Sequence, residues 1–371
     1  MRVLIVADDL TGALDSAVTL AQAGLDCVVA RRPADVPEAL ALRPEVLSIS
    51  TASRESTAEA ARAAVAAALD AVGTLPPIVF KKVDSRLKGH VAEEAATLAA
   101  RTGRTRALVS SAIPAQGRVV TGGQLTGVGV ATPIDVAAVM AASGLDLDVP
   151  EARDDGDLDV ALERAGTEAP LLLVGAAGLA AALGRRLAPS LAPGLAPGLA
   201  QNAAPRGEPE LEGPILLAIG SHDAITQAQV DLIANRADVD FALAPDGVCP
   251  APAAGAGDVG ARVVRLVPAD GRAFDPQAAG GRFAAGIAQL VRDGHFRTLL
   301  GCGGETADAI LGALGAGVFS VEGEILPGVP VSTMLVGKRR LRLVTKSGGF
   351  GNEATLARVV DAAVQAGDDT R

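Results

Sequence analysis

The chain has 371 residues, enough for two α/β domains, and 49% of them are hydrophobic, so a large core is expected rather than disorder. Aromatic residues make up only 2%, and the formal net charge is −10, which argues against binding to nucleic acid or to anionic membranes. The three cysteines lie far apart and form no CxxC pair, and with only three histidines a general base is expected to be a carboxylate.

The N-terminus does not resemble a signal peptide, because its short apolar run at residues 3–7 stops at two aspartates. No uncharged apolar stretch is long enough to span a bilayer. Together with the unpaired cysteines, this predicts a cytoplasmic protein whose partners are small molecules, with a homo-oligomer as an open option.

The first half of the chain alternates short apolar runs with longer Ala-rich segments. Strands are predicted at 3–7, 27–30, 46–50, 78–80, 107–110 and 171–174, and helices at 11–23, 57–72, 91–100 and 178–187. Strands that alternate with helices indicate a parallel sheet covered by helices on both faces.

Residues 189–213 are rich in Pro, Gly and Ala, which stop both helices and strands. We interpret them as an interdomain linker between an N-terminal domain (1–188) and a C-terminal domain (214–371), and a long surface loop within one domain is the alternative.

A second α/β pattern follows the linker. Strands are predicted at 215–219, 263–267, 298–300 and 341–344, and helices at 226–235, at 279–291 and from residue 306. The predicted fold class is therefore α/β, with two domains that each contain a mostly parallel sheet flanked by helices.

Two adjacent carboxylates, Asp8 and Asp9, follow the first predicted strand and precede a helix. Ligands often bind at the carboxyl ends of parallel strands, and these side chains could hold Mg²⁺ through water or orient a hydroxyl group. The alternative is that Asp9 or Thr11 merely caps the helix. A second aspartate next to the first would add only repulsion to a cap, so function is favoured for at least one of them.

The segment K-K-V-D-S-R-L-K-G-H at 81–90 follows the strand predicted at 78–80. It concentrates four basic side chains in an acidic protein, at a position where they could bind a carboxylate or a phosphoryl group. The alternative is a solvated run of surface charge.

Three glycine-containing turns follow strands in the second half, at 220–226, 301–308 and 344–352, and in the last of them Lys346 adds a positive charge. Glycines let backbone N–H groups approach an anion, and a helix N-terminus favours negative charge. One such turn would be weak support, but three indicate a phosphate-bearing ligand. The G-x-G-x-x-G at 255–260 lies in the wrong context for a dinucleotide site, and no P-loop motif is present.

The motifs at 7–13, 81–89, 303–307, 327–330 and 346–351 resemble, in this order, those of the four-carbon acid sugar kinase family. The resemblance covers nearly the whole chain. It implies an N-terminal domain that binds a sugar acid and a C-terminal domain that binds ATP with Mg²⁺. The implied reaction phosphorylates the terminal hydroxyl of threonate, erythronate or a 3-oxo-tetronate.

The resemblance also assigns residues to the two ligands. On the sugar-acid side we expect Asp9 and Asp84 as catalytic candidates, with substrate bound by Asp8, Arg54, Lys82, Ser85, Arg86 and Lys88. ATP is expected to contact Ser221, Gly303, Gly304, Glu305, Thr306, Lys346, Gly348 and Gly349. We expect no metal cage made by protein alone; Mg²⁺ should arrive with ATP, and Asp8 is its nearest candidate contact.

The sequence departs from the family pattern in the sugar-binding half. It reads D-S-R-L-K-G-H at 84–90 where relatives more often read D-S-T-L-R-G-N, and the stretch after Pro114 is shorter. These differences leave the exact acid open. Two alternatives remain: a kinase of the same fold acting on another small polyol acid, and a nucleotide-binding regulator without turnover.

Overall fold

The computed structural model describes residues 1–167, 169–188, 209–251, 260–269 and 274–368. The chain divides into two units, one formed by Met1–Arg206 with Val318–Val321, the other by Gly207–Gly317 with Glu322–Arg371. Residues 189–208 of the predicted linker, and most of the G-x-G-x-x-G at 255–260, lie outside the described ranges.

Unit 1 contains a sheet of short strands, most of which are apolar and buried; the edge strand at residues 146–148 is polar and partly exposed. Its strands are β1 (Val3–Ala7), β2 (Cys27–Ala30), β3 (Val46–Ser50), β4 (Ile78–Lys82), β5 (Arg106–Ser110), β9 (Asp146–Asp148) and β10 (Leu171–Gly175). They lie in the order β2-β3-β1-β4-β10-β5-β9, and all their pairings are parallel. The segment Val318–Val321 adds an antiparallel strand beside β2.

Helices connect these strands, as parallel pairing requires. They are α1 (Leu10–Gln22), α2 (Val36–Ala41), α3 (Ala58–Val72), α4 (Val91–Thr102), α5 (Val136–Met140), α6 (Asp155–Ala165) and α7 (Ala177–Leu187). A small antiparallel sheet of β6 (Arg118–Thr121), β7 (Gln124–Gly127) and β8 (Ile134–Asp135) follows β5. The sequence analysis did not predict this small sheet.

Unit 2 has a sheet of seven strands in the order β12-β13-β11-β14-β17-β16-β15. The strands are β11 (Ile215–Ile219), β12 (Val239–Pro245), β13 (Ala261–Val267), β14 (Thr298–Cys302), β15 (Val318–Leu326), β16 (Val329–Val336) and β17 (Arg339–Lys346). Helices α8 (Ala224–Ile233), α9 (Pro276–Asp293), α10 (Gly304–Leu314) and α11 (Thr355–Asp368) accompany them. Strands β12, β13, β11, β14 and β17 are parallel, and β16 is antiparallel to β17.

The predicted fold class, two mostly parallel sheets flanked by helices, is confirmed. Each sheet has a reversal of strand order at its first strand: at β1 in unit 1, where β3 lies on one side and β4 on the other, and at β11 in unit 2, between β13 and β14. Ligands of open α/β sheets bind beyond the carboxyl ends of strands at such a reversal. Among the helices in the described ranges, none is both long and apolar enough to cross a bilayer.

Candidate active site and nucleotide-binding turns

The carboxyl end of β1 places Asp8 and Asp9 at the strand reversal of unit 1. Asp9 is the N-cap of α1, and its Oδ1 accepts a hydrogen bond of 2.7 Å from the Gly12 amide. The capping alternative is therefore correct for Asp9. However, its second oxygen, Oδ2, accepts a 2.7 Å hydrogen bond from Arg54, so capping does not account for the whole side chain.

Arg54 gathers the acidic residues into one cluster. Its Nε and Nη2 donate to the two carboxylate oxygens of Asp8, each at 2.8 Å, which is the bidentate geometry that suits a guanidinium. Its Nη1 lies 3.8 Å from Asp84 Oδ2. Asp84 follows β4, the neighbour of β1, so three predicted site carboxylates meet around one cation.

The two adjacent aspartates have different electrostatic surroundings. Burial alone would raise the pKa of Asp8, but the charges of Lys81 and Arg54 and the hydrogen bonds from Arg54 hold that pKa below its ordinary value. For Asp9, burial and the negative charge of Asp8 outweigh the attraction of Arg54 and Lys82, so its pKa is raised. The side chain of Asp9 is 26% exposed against 4% for Asp8, so Asp9 is the aspartate that a ligand can reach.

The two lysines at the end of β4 have different partners. Lys81 is fully buried; its ammonium lies 2.6 Å from Glu94 and donates to the Lys82 carbonyl at 2.7 Å, so it is not available to bind an anion. Lys82 points to the Asp9 side of the strand, donating to the Val83 carbonyl at 2.8 Å. The charge cluster predicted at 81–90 is therefore partly structural.

The rest of that segment forms a turn beside the carboxylates. Asp84 Oδ1 accepts a 2.9 Å hydrogen bond from the Arg86 amide, and the side chains of Arg86 and Lys88 are exposed. Ser85 Oγ accepts a hydrogen bond from Arg118 of β6. Arg118 is a site residue that the sequence analysis did not identify; the only signal was its place at the end of the unusual stretch after Pro114.

The three predicted turns of unit 2 lie side by side. Strands β11, β14 and β17 are adjacent and in register, with Ile219 opposite Cys302 and Cys302 opposite Lys346, so each turn begins at the same height of the sheet. The Gly220 amide donates to the Cys302 carbonyl at 3.1 Å, and the Gly303 amide donates to the Lys346 carbonyl at 2.8 Å.

Two of the turn glycines are favoured by their surroundings, one by a close contact and the other by its backbone conformation. A Cβ at Gly348 would lie 2.2 Å from Ser221 Oγ, so the third turn packs directly on the first. Gly303 has a φ of +102°, a conformation that residues with a Cβ rarely adopt. It is the N-cap of α10 and caps the helix without a side chain, so the first-turn N–H groups of Gly304 to Thr306 have no intrahelical acceptor. Such a helix end is suited to bind phosphate.

Lys346 lies beneath the third turn and is fully buried. Its ammonium donates to the carbonyls of Ser347 (3.1 Å) and Gly348 (3.2 Å) and to Thr226 Oγ1 (3.2 Å). Burial lowers the pKa of Lys346. The structure thus places this cation where it holds the turn from below, and direct contact with a phosphate stays a prediction.

An apolar cavity of about 670 Å³ opens beside the first and third turns. It is lined by Ala224, Ile225 and Ala228 of α8 and by residues 351–354. Asp223 lies between this cavity and the glycines: it caps α8 through a 2.9 Å hydrogen bond from the Ile225 amide, and it is exposed. Among the described residues there is no group of three or more acidic, Cys or His side chains placed to bind a metal ion.

Comparison with known proteins agrees with this division of the chain. Residues 3–138 match a family described as a sugar-binding N-terminal domain, and residues 216–356 match one described as a nucleotide-binding C-terminal domain. A D-threonate kinase of Cupriavidus necator is 32% identical over 96% of both chains. A D-threonate kinase of Salmonella typhimurium is 26% identical over 96% of this chain and 97% of its own.

Solved structures show the same fold at lower identity. A Salmonella typhimurium protein has a TM-score of 0.74 at 20% identity over 96% of this chain and 98% of its own, and a Haemophilus influenzae protein has a TM-score of 0.70 at 20% identity over 97% and 100%. The sugar-binding and nucleotide-binding matches, with kinase relatives over nearly the whole chain, place the protein in the class of sugar-acid phosphotransferases. The chain belongs to the four-carbon acid sugar kinase family.

Proposed function

We propose that this protein transfers the γ-phosphoryl group of ATP to the terminal hydroxyl of a four-carbon sugar acid of the threonate, erythronate or 3-oxo-tetronate type. In this step the hydroxyl oxygen forms a bond to the γ-phosphorus, the bond between that phosphorus and the bridging oxygen breaks, and ADP leaves. The hydroxyl proton passes to a carboxylate. The observation that carries the proposal is the cluster of Asp8, Asp9 and Asp84 around Arg54 at the strand reversal of unit 1.

Asp9 is the best candidate for the group that orients and deprotonates the hydroxyl. Its raised pKa makes it a stronger base than Asp8, whose pKa is lowered and whose two oxygens are both bound by Arg54. Asp84 is the second candidate, because it borders the same guanidinium. Positioning and charge neutralisation, through Arg54 and Lys82, account for most of the rate enhancement in phosphoryl transfer.

In unit 2 the phosphates of ATP fit against the first turn of α10, between Ser221, Gly303 to Thr306, and Gly348 with Gly349. The N–H groups of that turn offer the required donors. The apolar cavity beside Ala224, Ile225 and Ala228 has the volume and lining that suit an adenine ring. We propose a sugar-acid-binding domain at 1–188 and a nucleotide-binding domain at 214–371. The linker predicted at 189–213 is shorter than expected at its C-terminal end, because residues 209–213 belong to unit 2 and Leu211 is buried in its core.

A divalent cation would accompany the nucleotide. The described residues offer single carboxylates rather than a cage, so Mg²⁺ would be held by phosphate oxygens and water. In unit 2 the exposed Asp223 is an acidic side chain next to the glycine turns. When bound, the ion supplies charge neutralisation on the phosphates. A direct contact with Asp8 would have to replace the bidentate hydrogen bonds from Arg54.

The proposal is tested by incubating the protein with Mg·ATP and a panel of four-carbon sugar acids, with larger polyol acids and neutral four-carbon polyols as comparisons. Phosphorylated products are identified by mass spectrometry, and the phosphorylated carbon by NMR. We expect a product carrying phosphate on the terminal hydroxyl of at least one four-carbon acid. Phosphorylation of larger polyol acids alone would establish a different substrate class, and nucleotide binding without any product would indicate a regulator.

A further inference from the structure

The carboxylate cluster itself is not suited to bind the carboxylate of the substrate. Asp8, Asp9 and Asp84 bring three negative charges, and Arg54 and Lys82 bring two positive charges. The charge of Lys81, which also acts on Asp8, is balanced by its ion pair with Glu94. Three of the five N–H groups of Arg54 already donate to Asp8 and Asp9. A carboxylate placed here would add repulsion, so the acid end of the substrate must bind to cations outside this cluster.

Two arginines next to the carboxylate cluster, Arg118 and Arg86, supply positive charge instead. Arg118 Nε donates to the Val128 carbonyl at 3.0 Å, and its Nη1 donates to Ser85 Oγ. The Nη1 of Arg86 would lie 3.8 Å from a Cβ built on Gly129, so both guanidinium groups reach the same hairpin end that follows β7. Neither has an ion-pair partner among the residues that the structure describes.

The two cations are close enough to affect each other. Burial lowers the pKa of Arg118, the charge of Arg86 lowers it further, and the charge of Asp84 opposes these effects only in part. Two like charges held close together are stabilised when an anion binds between them. Asp84 connects this pair to the proposed base, since it accepts from the Arg86 amide at 2.9 Å and lies 3.8 Å from Arg54 Nη1.

We propose that Arg118, acting with Arg86, binds the carboxylate of the sugar acid and so determines which end of the substrate faces Asp9. The proposal rests on the proposed function. Arg118 lies in the small antiparallel sheet, so this sheet forms part of the substrate site. Its planar guanidinium can donate two parallel hydrogen bonds to a carboxylate, which a lysine cannot.

The test compares an acid that the wild-type protein phosphorylates with the neutral polyol of the same carbon chain. We expect Arg118→Gln to raise the KM for the acid about tenfold or more, since hydrogen bonds between charged groups contribute on this scale, and to leave the KM for ATP unchanged. The ratio of kcat/KM for acid to that for polyol should fall by a similar factor. The KM of Arg118→Lys for the acid should lie between those of the wild type and Arg118→Gln, because lysine keeps the positive charge and loses the paired donors of the guanidinium.

Two further variants separate binding from support. Ser85→Ala removes the hydrogen bond to Arg118 but keeps both cations, so it should change the rates with acid and polyol alike. Arg153→Gln, which removes an exposed ion pair with Asp157 in the same unit, should change neither. An unchanged acid-to-polyol ratio of kcat/KM in both Arg118 variants overturns the inference. A fall of that ratio in Ser85→Ala as large as the fall in Arg118→Gln overturns it too. If the wild type phosphorylates no four-carbon acid, the proposed function itself fails and this inference with it.

Discussion

At the scale of single residues, Asp8 and Asp9 show how neighbouring identical side chains acquire different roles. Both carboxylate oxygens of Asp8 accept hydrogen bonds from the guanidinium of Arg54, whereas Asp9 is partly exposed and has the higher pKa. Asp9→Asn keeps the shape and loses the proton acceptor. We expect kcat to fall by about 10² or more with little change in the KM for the acid, as measured by steady-state kinetics.

The matched variant is Asp84→Asn, which changes the second candidate, whose carboxylate lies near the same Arg54 nitrogen, Nη1, as that of Asp9. If Asp9 is the base, Asp84→Asn should retain more kcat than Asp9→Asn. The reverse order would assign the base to Asp84, and full activity in both variants would contradict carboxylate catalysis altogether.

Lys82 sets the pH range in which Asp9 is ionised. Its positive charge lowers the pKa of Asp9, which burial has raised. In the Lys82→Met variant the ionised form of Asp9 loses the stabilising positive charge of Lys82, so the pKa of Asp9 should rise. The acid limb of the kcat/KM profile should then move to higher pH. The profile is measured at saturating ATP, with the Arg153→Gln variant as control. An acid limb that stays in place or moves to lower pH would show that Asp9 does not control it.

The positions of some candidate site residues could be predicted from the sequence, and those of others could not. Asp8, Asp9 and Asp84 could be predicted because each follows a buried strand, and parallel strands end at the same edge of a sheet. Arg118 could not, because it reaches the site through the long-range hydrogen bond to Ser85, and no local pattern specifies that partner. Nor could the sequence tell that Lys81 is buried against Glu94.

At the scale of elements, β4 and α4 are joined by that buried ion pair. Lys81 is 0% exposed and Glu94 1%, and Glu94 also accepts a hydrogen bond from Ser53. Lys81→Met would leave the carboxylate buried without its cation, which typically costs about 3–5 kcal/mol. We expect this loss in the free energy of unfolding measured by urea denaturation.

The double variant Lys81→Met with Glu94→Leu removes both charges and should recover much of that stability, because an apolar pair needs no compensation. If the single variant is as stable as the wild type, the pair does not hold the two elements together. A double variant less stable than the single one would show that Ser53 and Thr51, which share a 2.7 Å hydrogen bond, depend on the carboxylate.

The contact between the first and third turns of unit 2 gives a prediction for nucleotide binding. In Gly348→Ala the new Cβ would lie 2.2 Å from Ser221 Oγ, so the Ser221 side chain must move from its place or the two turns must separate. We expect weaker ATP binding by isothermal titration calorimetry, with affinity for the sugar acid unchanged. Gly281→Ala in α9 is the control, because its Cβ would meet nothing within 4 Å. Equal ATP affinity in both variants would exclude these turns from the nucleotide site.

Elements differed in how well the sequence predicted them. Short buried strands such as β1 and β11 were predicted at their observed bounds, since a continuous apolar run bounded by polar or glycine residues leaves few alternatives. Strands β15 and β16 were not, nor was the small sheet of β6 to β8. Their polar and apolar residues alternate or mix, and their pairing depends on antiparallel partners rather than on a repeating strand–helix unit.

At the scale of the whole molecule, the chain is divided into its two units at more than one boundary. The sequence predicted one boundary at 189–213, whereas the structure assigns Val318–Val321 to unit 1, far beyond that boundary. These residues pair antiparallel with β2, from Val318 opposite Ala30 to Val321 opposite Cys27. Only the long-range pairing with β2 identifies these residues as part of unit 1, so the composition of the chain could not predict their assignment.

This pairing predicts the behaviour of a fragment containing residues 1–188. Without Val318–Val321, β2 would become an edge strand with unpaired N–H and C=O groups, and such edges promote association. We expect the fragment to melt at a lower temperature than the full chain by differential scanning fluorimetry. It should also associate with increasing concentration in analytical ultracentrifugation.

The matched control is a full-length variant with Ser320→Pro, which keeps every domain but removes one backbone donor from the strand that covers β2. It should lose stability in the same direction as the fragment while its ATP affinity remains that of the wild type, because the nucleotide turns belong to unit 2. A monomeric fragment with the melting temperature of the full chain would show that unit 1 does not need this strand. Its edge would then be protected by residues 1–188 alone.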